Sequence, residues 1–243
     1  MAATEFQCTV KSIENITPTV FVLKFEAHEP LTFEAGQFIS VIVPGAGPKG
    51  RDLRRAYSIA SSPETSPIEL CVKLVEGGPG TNYLFGLKPG DVFKGYAPYG
   101  DFVFETPVHK HACFIATGTG IAPFRSMIHS KKFQSESPVS LTCLLGVRTE
   151  DELLYQDELE SLSNLTWVPM VSQPTSKWDE MRKSFKQSFK GRVTDYLRSL
   201  DHSFPWKETD FYLCGNGAMI TEVKTILAEK GVEKESIHQE KYY

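Results

Sequence analysis

Ala112-Cys113-Phe114-Ile115-Ala116-Thr117-Gly118-Thr119-Gly120-Ile121-Ala122-Pro123 is the stretch on which the fold turns. A strand-like apolar run, Ala112–Thr117, enters a glycine-spaced turn and then a helical pattern. Glycines at such a junction let a pyrophosphate approach backbone amides at a helix N-terminus. The usual dinucleotide fingerprint has Gly or Ala where Pro123 stands, and proline suits a first helical position. The plain alternative is a tight strand–helix turn without a ligand.

Toward the C-terminus the same rhythm repeats. Val139–Leu145, Leu165–Val171, Asp210–Cys214 and Ser236–Glu240 read as strands, with helical patterns between most of them. Tyr155, Leu159 and Leu162 recur at helical spacing, as do Met219, Val223, Ile226 and Leu227, with Gly231 as the stop. Alternating strands and helices predict a doubly wound parallel sheet. Toward the N-terminus the rhythm is different. Phe21, Leu23 and Phe25 alternate with Val20, Val22 and Lys24, and Gln37–Val43 and Ile68–Val75 are short apolar runs. Pro44-Gly45, Ser62-Pro63, Gly77–Gly80 and Pro89-Gly90 punctuate them, which predicts an antiparallel barrel or sandwich. The change falls near Glu105–His109, so the expected domains are residues 1–106 and 107–243.

Composition narrows the class. The chain has 243 residues, 41% of them hydrophobic, and a formal charge of -4, so no global field recruits nucleic acid or membrane. No apolar run approaches the roughly 20 residues of a bilayer span. The first residues contain no apolar leader. The expectation is a soluble, cytoplasmic monomer. Cys8, Cys71, Cys113, Cys143 and Cys214 are scattered, without the clustering of a zinc or iron–sulfur site, so no metal is expected.

Arg55-Ala56-Tyr57-Ser58 is the strongest local signal in the first half. In a strand Arg55 and Tyr57 share one face and Ser58 turns to the other. A guanidinium suits a pyrophosphate, a phenol ring stacks on a flat heterocycle, and a hydroxyl can bond to the edge of such a ring. By itself the motif also suits an ordinary half-exposed strand.

With Phe33–Phe38, Leu70–Lys73, Gly80–Leu84 and Gly95–Phe102 added, the chain resembles the ferredoxin–NADP reductase family in its compact plant and bacterial form. Gly95–Phe102 is one residue longer than the family segment. The resemblance implies a Greek-key barrel that binds FAD, followed by an α/β domain that binds a nicotinamide coenzyme. It implies that Arg55 meets the FAD pyrophosphate, that Tyr57 stacks on the flavin, and that Ser58 sits near its reactive nitrogen. Ala56 belongs to the same motif, and Val72 and Lys73 to a segment beside the flavin. Gly80, Thr81 and Asn82 would offer N–H groups and a hydroxyl to the phosphates.

In the second half the resemblance implies that Thr117, Gly118, Thr119, Gly120 and Pro123 form a coenzyme loop, and that Cys214 and Gly215 lie near the nicotinamide. Glu240 would position or relay a proton near the flavin, and Tyr242 would cover it. Tyr243 resembles an added aromatic that stacks on adenine, which leaves open which of the two tyrosines covers the ring. Ser58, Cys214 and Glu240 are thus the expected catalytic group.

The coenzyme choice rests on cations. Arg148 sits beyond a strand end where some NADP-using members carry Arg, Ser172 closes the next strand, Arg192 precedes a helix, and Arg182, Lys183, Lys186, Lys190 and Arg192 form a basic run without an acid. Gln173 stands where NADP-using members carry Arg. The expectation leans to NADPH, with NADH open. Lys49, Arg51, Arg54 and Arg55 form a second basic group suited to steer an acidic ferredoxin or flavodoxin-like carrier. The alternatives are an NADH-dependent reductase component of an oxygenase, and a non-catalytic flavin subunit.

Overall fold

In the computed structural model, which describes residues 3–242, the two rhythms become two units. The first comprises residues 3–104 together with Ala122–Ser135; the second comprises Glu105–Ile121 together with residues 136–242.

The first unit contains β1 (Thr4–Thr17), β2 (Val20–Ala27), β3 (Phe38–Val43), β4 (Leu53–Ser58), β5 (Ile68–Lys73), a helix α1 (Pro79–Gly86) and β6 (Val92–Tyr99). The strands are antiparallel neighbours in the order β4-β3-β6-β1-β2-β5. The outer strands meet where Ile59 bridges Leu70 and the Ala60 N–H donates to the Glu69 carbonyl at 2.8 Å. This closes the sheet into a barrel and shields edges that would otherwise offer unpaired backbone groups. Phe21, Leu23 and Phe25 enter its core with Ile39, Val41, Leu70 and Phe93.

Gln37 joins two of the family segments. Its Oε1 accepts from the Glu34 N–H at 2.8 Å and its Nε2 donates to the Gly100 carbonyl at 2.9 Å.

The second unit contains β7 (His111–Thr117), β8 (Ser140–Val147), β9 (Leu165–Val171), β10 (Phe189–Lys190), β11 (Thr209–Asn216) and β12 (Ile237–Tyr242). They form a parallel sheet in the order β10-β9-β8-β7-β11-β12. The chain winds outward from β7 to β10, then returns to β11 on the other side of β7. Such a reversal opens a crevice at the carboxyl ends of the two central strands. Its further helices are α4 (Gln156–Ser161), α5 (Trp178–Met181), α6 (Val193–Ser199) and α7 (Gly217–Glu229), after α2 (Ile121–Ile128) and α3 (Lys131–Ser135) earlier in the chain.

The grouping of Ala122–Ser135 with the barrel unit departs from a single cut at residue 106. Side-chain chemistry explains it. Arg125 pairs with Glu69 at 2.8 Å and donates to the Ala60 carbonyl at 3.0 Å, and Ser126 donates to the Ser61 carbonyl at 2.6 Å. Phe124 and Phe133 pack on Phe102 and Phe104. Among the described residues no helix is long and apolar enough to cross a membrane, and no group of His, Cys, Asp and Glu could hold a metal ion.

Candidate functional site

On the barrel, β4 lies at a sheet edge and carries Arg55, Ala56, Tyr57 and Ser58. Pairing with β3 sets Tyr57 opposite Ile39 and Ser58 opposite Phe38. Arg55 and Ala56 are exposed, Tyr57 is half-buried and Ser58 is buried. Burial does not alternate along this strand, but Arg55 and Tyr57 share one face, since both flank Gly80.

Helix α1 begins beside that face. Gly78 precedes it and Pro79 opens it, a residue whose fixed φ and missing N–H suit that position. A side chain at Gly80 would start 2.4 Å from the Tyr57 hydroxyl and 2.8 Å from the Arg55 Cγ. Only glycine permits this approach. It gathers a guanidinium, a phenol and the N–H groups of a first helical turn in one cradle. That donor set fits a pyrophosphate attached to a flat ring.

Burial pushes the Tyr57 phenol up to about 12 against the opposing pull of Arg55, so the ring stays neutral at physiological pH. Thr81 differs from expectation in one respect. Its hydroxyl is engaged in the turn, accepting from the Val75 N–H at 3.1 Å, which leaves its backbone N–H as the group suited to a phosphate. Asn82 is exposed on the same helix, and its N–H donates to the Gly78 carbonyl at 3.0 Å. Val72 is buried and Lys73 exposed on β5, paired with β2.

Arg54, of the basic group expected to steer a carrier, is exposed and held by neutral partners that leave its charge in place. Its guanidinium donates to Ser40 at 3.1 Å and to the Tyr99 hydroxyl at 2.7 Å, and lies 4.4 Å from the Tyr96 ring centre. Strand alternation turns it away from Arg55 and onto these aromatics. Lys49 and Arg51 remain exposed.

In the second unit, the loop after β7 meets the end of β11 at the crevice. Gly215 has φ +128, and a Cβ there would lie 2.4 Å from Thr117 Oγ1 and 2.9 Å from the Thr117 carbonyl oxygen. Gly120 approaches equally closely, since its Cβ would be 2.3 Å from the Cys214 carbonyl oxygen. Thr117 Oγ1 accepts from the Asn216 N–H at 3.0 Å. Asn216 in turn caps α7, its Oδ1 accepting from the N–H groups of Ala218 and Met219. Sequence reasoning passed over Asn216 as a cap, although an Asn ahead of a helical pattern is a readable signal. Gly118, Thr119 and Gly120 form the single turn before α2, and Pro123 is the third residue of α2 rather than the first. It still falls in the first turn, where a missing N–H costs no helical bond.

Ile237–Tyr242, which includes the expected Glu240 and Tyr242, is a strand. β12 runs beside β11 with Cys214 opposite Glu240 and Asn216 opposite Tyr242. Burial first, then the Glu240 carboxylate, hold the Cys214 thiol well above its ordinary value, against a hydrogen bond with Tyr242. Cys214 is therefore a neutral, compact wall rather than a thiolate nucleophile. Tyr243, expected to stack on adenine, lies outside the described residues.

Of the basic run, Arg182 and Lys183 pair with Asp179 and Glu180, and Lys186 donates to the Glu160 carbonyl. Asp179 and Glu180 stand just ahead of the run. Arg148 and Arg192 are exposed at the ends of β8 and β10. Ser172 follows β9, and its hydroxyl donates to the Val147 carbonyl at 3.2 Å.

Residues 7–104 match the family of oxidoreductase FAD-binding domains, and residues 114–225 that of oxidoreductase NAD-binding domains. The chain is 31% identical to ferredoxin–NADP reductase B of Sorangium cellulosum (strain So ce56), over 99% of this chain and 98% of that one. It is 29% identical to DmpP, the reductase component of phenol 2-monooxygenase from Pseudomonas sp. (strain CF600), over 98% of this chain and 66% of that one. Among solved structures, a ferredoxin NADP+ reductase from Neisseria gonorrhoeae with bound FAD and NADP matches with a TM-score of 0.85. The two are 22% identical, and the match covers all of both chains.

Proposed function

The chain belongs to the ferredoxin–NADP reductase family, and from that premise we propose that Arg55, Tyr57 and the first turn of α1 hold FAD, while Thr117–Gly120 and Cys214–Asn216 hold the coenzyme. It is an FAD-dependent NAD(P)H oxidoreductase that passes electrons to a separate carrier. When bound, FAD accepts a hydride and gives up its electrons singly. The rest is positioning by this chain. Arg55 offers its planar fork to a pyrophosphate, and neutral Tyr57 presents a face for stacking. The observation that carries the reading is Gly80, where any side chain would strike both of those residues.

Ser58 turns to the opposite side of β4 and offers a hydroxyl to the edge of the ring. A Ser58→Ala variant is expected to keep its FAD but to be reduced roughly 10- to 150-fold more slowly, the effect of one charge-assisted hydrogen bond. Stopped-flow reduction at the native rate would remove Ser58 from the mechanism.

NADPH is the proposed coenzyme, supported by the exposed guanidinium groups of Arg148 and Arg192. A specific observation favours the NADH-dependent alternative, an oxygenase reductase component. The Ser172 hydroxyl is spent on Val147, and Gln173 brings no charge. We take the carrier to be a ferredoxin or flavodoxin-like protein steered by Lys49 and Arg51, and the chain to act as a cytoplasmic monomer. Anaerobic titration of the FAD-loaded protein with each coenzyme tests the reading. Stoichiometric bleaching of the flavin is expected, at lower concentrations of NADPH than of NADH. A flavin that stays oxidised with both would overturn it.

A further inference from the structure

The loops after β8 and β9 are fastened to each other by contacts that no expectation from sequence included. The Ser172 N–H donates to the Val147 carbonyl at 3.1 Å, and the Gln173 N–H donates to the Arg148 carbonyl at 2.7 Å. Two residues further on, Thr175 gives both of its donors to one carboxylate. Its N–H reaches Glu150 Oε2 at 3.1 Å, and its hydroxyl donates to Glu150 Oε1. Glu150 is only 2% exposed. Beside it the Lys177 ammonium reaches Asp151 at 3.4 Å. Trp178, 1% exposed, anchors the far end of the second loop.

A buried carboxylate is costly unless its charge is met by donors. Here both oxygens are met, and the contacts span 25 positions of sequence. A surface turn needs no such device, since loops tolerate motion and variation. The device sits at the carboxyl ends of β8 and β9, where open α/β sheets bind ligands. At the end of the first loop the Arg148 backbone N–H is held in turn by Glu152 Oε2 at 3.0 Å.

We propose that Glu150 is a positioning residue for the adenosine end of the coenzyme, gripping Thr175 so that the Gln173 loop is fixed against the Arg148 loop before the coenzyme arrives. This rests on the coenzyme site proposed above. Ordering two loops in advance removes that cost from binding, and it leaves the hydride step, at the β7–β11 crevice, untouched.

The test compares Glu150→Ala and Thr175→Val with Thr175→Ser, each as the FAD-loaded full chain. Thr175→Val keeps the shape and removes the hydroxyl; Thr175→Ser restores it. The KM for NADPH should rise about tenfold in the first two, within the usual range for a hydrogen bond to a charged group. The limiting rate of flavin reduction should stay within about twofold, and Thr175→Ser should behave as the native protein. Calorimetry with adenosine 5′-diphosphate and adenosine 2′-phosphate, which needs no hydride transfer, should show the same order. Unchanged KM and unchanged nucleotide binding in Thr175→Val would overturn the proposal. So would a limiting rate that falls in step with kcat/KM. If the native protein binds these nucleotides more tightly than the variants yet neither coenzyme reduces it, the clamp stands and the reductase reading falls. Native protein that binds neither nucleotide while NADPH still bleaches its flavin overturns the clamp and leaves the reductase reading standing.

Discussion

A Gly215→Ala variant is expected to fold with its full complement of FAD and to be reduced about a hundredfold more slowly than the native protein at subsaturating coenzyme. Two costs act together. At φ +128 a residue with a Cβ is strained, and that Cβ would stand 2.4 Å from Thr117 Oγ1 and 2.9 Å from the Thr117 carbonyl oxygen. Backbone strain of this kind costs about 1–3 kcal/mol, and the clash adds to it. Relief requires Thr117 to move. Its hydroxyl accepts from the Asn216 N–H, and its chain leads directly into Gly118–Gly120. The shift would therefore spoil both lips of the crevice at once. A loss of about 3 kcal/mol corresponds to roughly a hundredfold. None of these residues belongs to the barrel unit, so FAD content is the internal control. Stopped-flow reduction at native rates, with unchanged half-saturation, would show that the loop tolerates displacement.

The sequence made some of this legible and hid the rest for definable reasons. Leu165–Val171 reads as a strand and is β9 without adjustment, because a buried parallel strand is a nearly continuous apolar run, broken here by the exposed Thr166. Phe21, Leu23 and Phe25 announce the barrel core by period alone. The same period sets Arg55 and Tyr57 on one face, and the resemblance sets Gly80 at the phosphates. What could not be read was the contact between Gly80 and that face, which depends on how α1 packs. Helix α1 itself was hidden, since Pro79 and Gly80 look like loop and only Leu84 is a fully buried apolar residue in its short span. Two members of the basic run, Arg182 and Lys183, meet acids that lie one helical turn upstream of it, Asp179 and Glu180, outside the stretch whose charge the run describes. The grip of Glu150 on Thr175 joins two irregular loops, and no periodicity carries such information.

Removal of the Arg55 guanidinium should weaken FAD more than any other single truncation on the barrel. Arg55 is exposed, its Nη1 donates to the Arg54 carbonyl at 3.0 Å, and its aliphatic stem flanks Gly80 at the start of α1. Each charge-assisted hydrogen bond is worth about 1.5–3 kcal/mol, so Arg55→Ala should raise the FAD dissociation constant roughly 10- to 150-fold. Arg55→Lys should recover part of this, because an ammonium supplies the charge without the bidentate geometry. Tyr57→Phe separates the two contributions, since a neutral ring stacks with or without its hydroxyl. It should keep FAD within a few-fold of native. Tyr57 also bears on pH. Its phenol is pushed up to about 12, so it does not ionise between pH 6 and pH 9, and FAD affinity should show no step from this residue there. Equilibrium dialysis with fluorescence detection of free FAD measures all three variants. Arg55→Ala protein that retains native affinity would mean that the N–H groups of α1 hold the pyrophosphate unaided, and the cradle would have to be redrawn around the helix alone.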